Sequence, residues 1–469
     1  MQVQSMHFKA RAGEKLADQR LQQNLKKLST KFVSGRAAAV AALPEFDDIR
    51  VAAVARRNRA LAELDVWLER FETEARRRGA TVLWAQTPAE AAQLVVDIAR
   101  RHGCKSAIKS KSMVTEEMGL NAALQQAGVT VTETDLGEYI LQINDNEPPS
   151  HIIAPVVHKD KEQIADLFER VHHKPRKTDI ADMTREAREV LREKFMQADM
   201  GMSGGNFLIA ETGSVAVVTN EGNEGMCTIL PRVHVAITGI EKVLPTLEDF
   251  AAVLRLLPRS ATGQAISNYV SLLTGVRGET EPDGPEHMYF VLLDGGRSEL
   301  LGGEFQDMLR CIRCGACMNH CPVYQKVGGH AYGWVYPGPM GAVLTPSYVG
   351  LENALDLPHA ATLCGQCQVV CPMSIPLPDL LRKLREKQFE RNLRPWAERL
   401  MLRAWAYAAL HPRLYRPASA TIAWLLARLG GSRGSIEHVP MASGWSRYRD
   451  MPAPPGGLFR SQFARRGPR

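Results

Sequence analysis

The run CIRCGACMNHCP, Cys311 to Pro322, sets four cysteines at spacings of two, two and three residues and closes on proline. In a loop of this spacing three thiolates wrap one iron–sulfur cubane and the fourth is sent to a neighbouring cluster. A second run, CGQCQVVCP from Cys364 to Pro372, repeats the last three cysteine positions of the first. Together they read as a two-cluster unit with crossed ligation. The first cluster takes Cys311, Cys314, Cys317 and Cys371; the second takes Cys321, Cys364 and Cys367. Two [4Fe–4S] clusters are therefore the expected cofactors. The place for the second cluster's last thiolate, three residues before Cys364, holds Ala361, which cannot ligate. That gap leaves open a [3Fe–4S] centre, a non-cysteine or exogenous fourth ligand, or a cysteine from a partner protein. His359 is near in sequence, but a lone histidine beside such a motif is read as packed or solvated. Structural zinc pairs two dicysteine knuckles into a four-ligand cage, a pattern this spacing fits poorly. Two adjacent clusters also make a path for single electrons, so a relay is expected rather than a structural pin.

Working outward, seven of the nine cysteines lie between Cys311 and Cys371, leaving Cys104 and Cys227 as expected inert core thiols. Such clustering in a large chain points to metal or redox chemistry and not to a secreted disulfide framework. The 469 residues are 45% hydrophobic and 23% charged, globular in composition and long enough for two or three domains. No apolar run approaches the length of a membrane span, and the N-terminus lacks the apolar core of a signal peptide. The expected location is the cytoplasm, with no membrane span.

Upstream of the cysteines the pattern alternates. Apolar residues recur at helical spacing from Val51 to Arg78; TVLWA reads as a strand, PAEAAQLVVDIARRHG as a helix, SAIKS as a strand and EEMGLNAALQQAG as a helix. The strand VTVTE, the buried apolar run HIIAPVV from His151, a helix over 184–198, the paired strands of FLIAETGSVAVVTN and the strand VHVAITGI continue it. Strands alternating with helices imply a mostly parallel sheet covered on both faces. The expected organisation is an N-terminal helical arm (1–49), an α/β domain (50–300), a small α-helical two-cluster ferredoxin-like domain (301–385) and a helical C-terminal extension (386–469).

The net charge of +7 is uneven: residues 382–469 carry 18 Lys plus Arg against 5 Asp plus Glu, and the remainder 40 against 46. The basic tail has no recognisable DNA-binding motif, and its arginines are spread among apolar helices, so a protein partner is expected in preference to nucleic acid. Gly201-Met202-Ser203-Gly204-Gly205 matches the nucleophile elbow in letters, but a helix is expected before it and a strand after it, the reverse of what that motif needs. No Rossmann or P-loop glycine pattern occurs. Loops after strands are where an α/β domain builds its site. Three can hold an anion: Lys109-Ser110-Lys111-Ser112, Asn220-Glu221-Gly222-Asn223 and Arg259-Ser260-Ala261-Thr262-Gly263. Capping and turn formation is their simpler role. His158 and His234 would act as bases only if they line such a site.

The runs KSKSMVTEEMGL, ETDLGEYILQ, PSHIIAPVVHK, GGNFLIAETGSVAVVTNEGN, LPRSATGQ, CIRCGACMNHCPVY, GGHAYGWVYPGPMGA and LCGQCQVVCP cover residues from about 50 to 385 in dense succession. They resemble the lactate utilisation protein B family, iron–sulfur subunits of a bacterial L-lactate-oxidising system. Trp445-Ser446-Arg447-Tyr448 and Leu458-Phe459-Arg460 resemble that family's C-terminal region less sharply. The resemblance implies an α/β domain similar in fold to sugar-phosphate isomerases and CoA transferases. It also implies an electron-transfer role in oxidising L-lactate to pyruvate, as a subunit of an oxidoreductase complex and not a complete enzyme. The partners it implies are a cysteine-rich protein and a smaller lactate-utilisation-domain protein. Two other readings stand beside it: an aconitase-like enzyme using an incompletely ligated cluster as Lewis acid on a hydroxy acid, and a redox-sensing regulatory protein.

Overall fold

Alternate residues of the strand His287–Leu293 point to opposite sides of a sheet. Tyr289, Val291 and Leu293 enter one apolar layer, and Met288, Phe290 and Leu292 enter the other. A strand buried on both faces belongs in a sheet covered by helices on both sides. The computed structural model, which describes residues 2–438, 446, 449–454 and 458–465, shows that sheet. Its order is β1 (Thr81–Ala85), β10 (His287–Leu293), β7 (Val233–Gly239), β4 (Met200–Gly204), β2 (Ser106–Lys109) and β3 (Thr130–Glu133), all parallel. A smaller sheet orders β8 (Val243–Leu244), β5 (Phe207–Ile209), β6 (Ser214–Thr219) and β9 (Tyr269–Leu273). The chain leaves β2 toward β3 but leaves β4 toward β7, so the carboxyl ends of these neighbours diverge and open a crevice between them.

Helix Pro88–Arg101 covers one face through Ala91, Ala92, Val95 and Ala99; Thr87 caps it by accepting from Glu90 N–H, and Pro88 occupies its first turn. Helix Leu64–Arg77 covers the other with Leu68, Phe71 and Ala75. The expected helix from Val51 to Arg78 is two, Phe46–Ala62 and Leu64–Arg77, divided at Glu63. Gly119, at φ 62°, likewise divides the next into Met113–Met118 and Leu120–Gln126. The helix expected over 184–198 starts earlier and runs Ile180–Gln197, with Asp179 capping it.

The run HIIAPVV is not a strand; residues 151–157 form bends and turns, and Ile153, Val156 and Val157 are only half-buried. His151 Nδ1 accepts from both Ile153 N–H and Ala154 N–H at 3.0 Å, taking donors that a ladder would need. The segment Gly201–Gly204 is itself strand, with Ser203 buried and bonded to His234 at 3.1 Å, so no nucleophile elbow forms. Here β4 runs so close to helix Asn223–Ile229 that a Cβ on Gly201 would lie 1.8 Å from the Cys227 carbonyl oxygen. Gly201→Ala is expected to force the two apart and destabilise the fold by about 1–3 kcal/mol, read as a lower thermal midpoint.

The chain forms two compact units, Met1–Lys387 and Gln388–Arg469. The N-terminal arm belongs to the first. Helix Gln19–Ala41 buries Leu21 and Leu25 beside Gly328, and Arg36 donates to the Val370 carbonyl at 2.9 Å. The second unit has helices Trp396–Leu410 and Pro412–Gly430, with Trp396, Trp405 and Trp424 exposed. Of the family-like C-terminal signature, Trp445, Arg447 and Tyr448 lie outside the described residues. Among the described residues no helix is long and apolar enough to cross a membrane.

Candidate metal centre

The two cysteine runs fold into the same loop. Arg313 and Leu363, each just before a cysteine, take φ of 58° and 55°; Gly315 and Gly365, each just after it, take 73° and 83°. The short helices Ala316–Asn319 and Gln366–Val369 follow. Backbone bonds match one for one: Met318 to Gly315 and Gln368 to Gly365, then Cys321 to Met318 and Cys371 to Gln368. Left-handed backbone at Arg313 and Leu363 is unfavourable for a residue with a Cβ, and such strain is typical of sites that must aim ligands.

The loops bring their thiols together across the repeat. Cys311, Cys314 and Cys317 share one cavity with Cys371, walled by Met308, Ile312, Met340, Met373, Ile375 and Leu377. Cys321 shares a second cavity with Cys364 and Cys367, where Ala361, Pro322, Pro339, Pro378 and Leu381 complete the wall. His359 is absent from the residues around it. Burial pushes the Cys314 thiol up to about 12, with Cys371 and Cys311 adding to the rise. Burial first, then the neighbouring thiols, also raises Cys317 strongly, and burial lifts Cys371 to about 11 and Cys367 to about 12. Thiolates crowded in so apolar a wall need positive charge between them, and an iron–sulfur core supplies it. The donor set therefore fits such a cluster in the first cavity and a three-thiolate one in the second. Cys364 differs from the rest: it is exposed, and hydrogen bonds from the Gln366 backbone and Thr362 lower its pKa.

Buried cations flank the first cavity. Lys242 Nζ donates to the Cys311 carbonyl at 2.9 Å, and Arg57 donates to the carbonyls of Val243 at 2.7 Å and Leu309 at 2.8 Å. Arg297 bridges Glu241 and Glu117 at 2.8 Å each, while Arg313 lies 3.3 Å from Glu241 and over the Tyr336 ring. Burial drops Lys242 to about 7 and Arg57 to about 10. Arg57, Arg297 and Arg313 outnumber Glu117 and Glu241, an excess that would offset the negative charge of a thiolate-bound cluster.

Against this belt opens a cavity of about 440 Å³, at the divergent ends of β2 and β4. All three strand-following loops singled out above reach it: Ser110, Lys111 and Ser112; Asn220, Glu221 and Asn223; and Ala261 and Thr262. Lys109 does not, being buried between Glu133 at 2.8 Å and Glu116 at 2.9 Å. Arg259, Ser260, Gly222 and Gly263 also lie off its wall. His234 is a core histidine whose pKa burial lowers to about 3, and His158 lines a different cavity. Cys104 and Cys227 are buried in apolar layers as expected.

Sequence reasoning missed Asn206, Glu224, Lys242, Arg313 and Tyr336 on this wall. Arg313 alone carried a signal, its place inside the cysteine loop. Burial raises Glu224 from 4.5 to about 6. Between those values the folded chain holds a proton that the unfolded chain has released, so rising pH weakens the fold there. Glu224→Gln is expected to abolish that slope and to add about 1–2 kcal/mol at pH 7, measured by denaturant unfolding from pH 4.5 to 7.

Three family descriptions match in succession: LUD domain over residues 68–293, 4Fe-4S dicluster domain over 307–375, and Lactate utilisation protein B, C-terminal, over 381–468. The second spans all seven clustered cysteines. Lactate utilization protein B of Lysinibacillus sphaericus is 40% identical over 99% of this chain and 98% of its own length. That of Bacillus pumilus is 41% identical over the same shares. An Escherichia coli relative described as an uncharacterized electron transport protein is 40% identical over 97% of this chain and 96% of its own. With every domain in order and relatives aligned end to end, the chain belongs to the lactate utilisation protein B family.

Proposed function

We propose that this chain is the iron–sulfur electron-transfer component of an assembly that oxidises L-lactate to pyruvate. It would act with a cysteine-rich subunit and a smaller subunit bearing the same α/β domain. The observation that carries the reading is the division of seven cysteines into two neighbouring sets across the repeat, with Cys317 near enough to Cys367 for their charges to interact. Bound clusters supply one-electron reduction and reoxidation. Cys311, Cys314, Cys317 and Cys371 would hold the first, and Cys321, Cys364 and Cys367 the second. Arg57 and Arg313 would offset charge beside the first set, whose wall is largely methionine, isoleucine and leucine.

Oxidation of L-lactate releases two electrons and two protons, and a pair of clusters carries one electron each. The first set, buried at Cys314 and Cys371, adjoins the large cavity through Ile312 and Arg313, while the second reaches the surface at Cys364. Electrons are thus read as entering on the cavity side and leaving toward a partner at the surface. An aconitase-like role at the second set is disfavoured, because among the described residues no cationic side chain lines that cavity to hold a substrate carboxylate. The test is low-temperature EPR of anaerobically purified protein. L-lactate is expected to reduce the clusters only when the partner subunits are present. A lactate-induced change in an oxidised signal of the isolated chain would overturn the relay.

A further inference from the structure

Between the N-terminal helices, the segment 147–163 and the loop 327–330 a polar cavity of about 170 Å³ gathers Glu147, His158 and His330. One ligand atom from each lies within 4.8 Å of the other two, and the two imidazole centroids are 4.5 Å apart. The hydrogen bonds around them fix where the lone pairs point. Ser150 Oγ lies 3.1 Å from the Pro155 carbonyl and 2.8 Å from His158 Nδ1; with its single proton given to the carbonyl it accepts from Nδ1–H, the tautomer in which His158 Nε2 is bare. His330 Nε2–H donates to the Pro148 carbonyl at 2.7 Å, which bares Nδ1. Burial lowers His330 to about 4, keeping that ring neutral.

His158 Nε2 faces Glu147 Oε1 at 3.1 Å with no hydrogen bond, on a side chain only 10% exposed. A ring nitrogen of each histidine and a Glu147 oxygen thus converge within 4.8 Å of one another, with His158 Nε2 making no aligned hydrogen bond. Glu147 Oε2 is tied to Lys159 Nζ at 2.6 Å and Asn144 Nδ2 at 2.8 Å, which orients Oε1 inward. Imidazoles whose second nitrogen donates to a carbonyl or hydroxyl are the usual form of metal-ligating histidine, and two histidines with one carboxylate suit a divalent transition ion.

We propose that Glu147, His158 and His330 bind one divalent first-row cation of the zinc class, separate from the cysteine clusters. Lys15 and Lys159 line the cavity with Asp18, so the ion meets a wall of mixed charge. It would tie His330, which follows the loop bearing Cys321, to the segment 147–158 of the α/β domain.

The test uses the full chain with its iron content verified, equilibrated against buffered zinc. About one zinc per chain is expected, with an X-ray absorption shell of two nitrogens and one oxygen at about 2.0–2.2 Å and no sulfur at about 2.3 Å. Glu147→Gln and His330→Asn are expected to lose that zinc at unchanged cluster iron. Ser150→Ala, which frees the His158 tautomer, is expected to weaken binding about 10- to 100-fold. A non-cluster ferrous signal at the same residues would support the site equally. Zinc bound equally by wild type and variants, a sulfur shell, or no zinc at all would overturn it and leave a His158–Glu147 ion pair.

Discussion

Cys371→Ser is expected to remove the first cluster and spare the second, although Cys371 belongs to the second motif. Cys321→Ser is expected to do the reverse. The reason is the crossing of the loops: Cys371 shares a cavity with Cys311, Cys314 and Cys317, and Cys321 with Cys364 and Cys367. Iron content should fall by about four atoms per chain in Cys371→Ser. The identity of the loss follows from pairs of substitutions. Cys371→Ser combined with Cys311→Ser should match either single variant, whereas Cys371→Ser combined with Cys364→Ser should strip both clusters. Iron and sulfide analysis with EPR reads the outcome, and a Cys371 variant that behaves like the Cys364 variant would sink crossed ligation.

Arg297→Met is expected to cost about 3–5 kcal/mol, because it strands two buried carboxylates. The Arg297 guanidinium is 1% exposed and binds Glu241 Oε2 at 2.8 Å, both oxygens of Glu117 at 2.8 and 3.0 Å, and the Asp294 carbonyl at 2.9 Å. Its planar fork makes these contacts together, so Arg297→Lys should recover only part of the loss. Burial opposes ionisation of Glu241, yet Arg297, Lys242 and Arg313 hold its pKa down to about 2. A depressed carboxylate stabilises the fold above its unfolded value of 4.5, and that contribution fades as pH falls toward 2. Wild type should therefore lose stability across that window, and the variant should lose much less. Denaturant unfolding of the cluster-loaded protein at several pH values measures both effects; an unchanged midpoint in Arg297→Met would refute the argument.

The alternation of strand-like runs such as TVLWA and VHVAITGI with helical runs made the central sheet readable. HIIAPVV, read as a buried apolar run, forms no strand for a local reason: His151 takes two backbone donors and Pro155 lacks one. The cysteine loops were legible because their spacing is set by the geometry of one cluster. The wall between them and the sheet was not. Lys242 and Cys311 are 69 residues apart and meet only through tertiary packing. The three loops likewise converge because β2 and β4 are neighbours whose exits diverge, a property of strand order that no local window contains.

The bond-for-bond match of the two cysteine loops has the marks of duplication. The second copy keeps left-handed backbone at Leu363 and Gly365 and the same closing bonds, yet carries alanine where the first copy has Cys311. The turn thus keeps its shape with one thiol fewer, and a methyl group, that of Ala361, stands on the wall of the second cavity where the first loop places a sulfur.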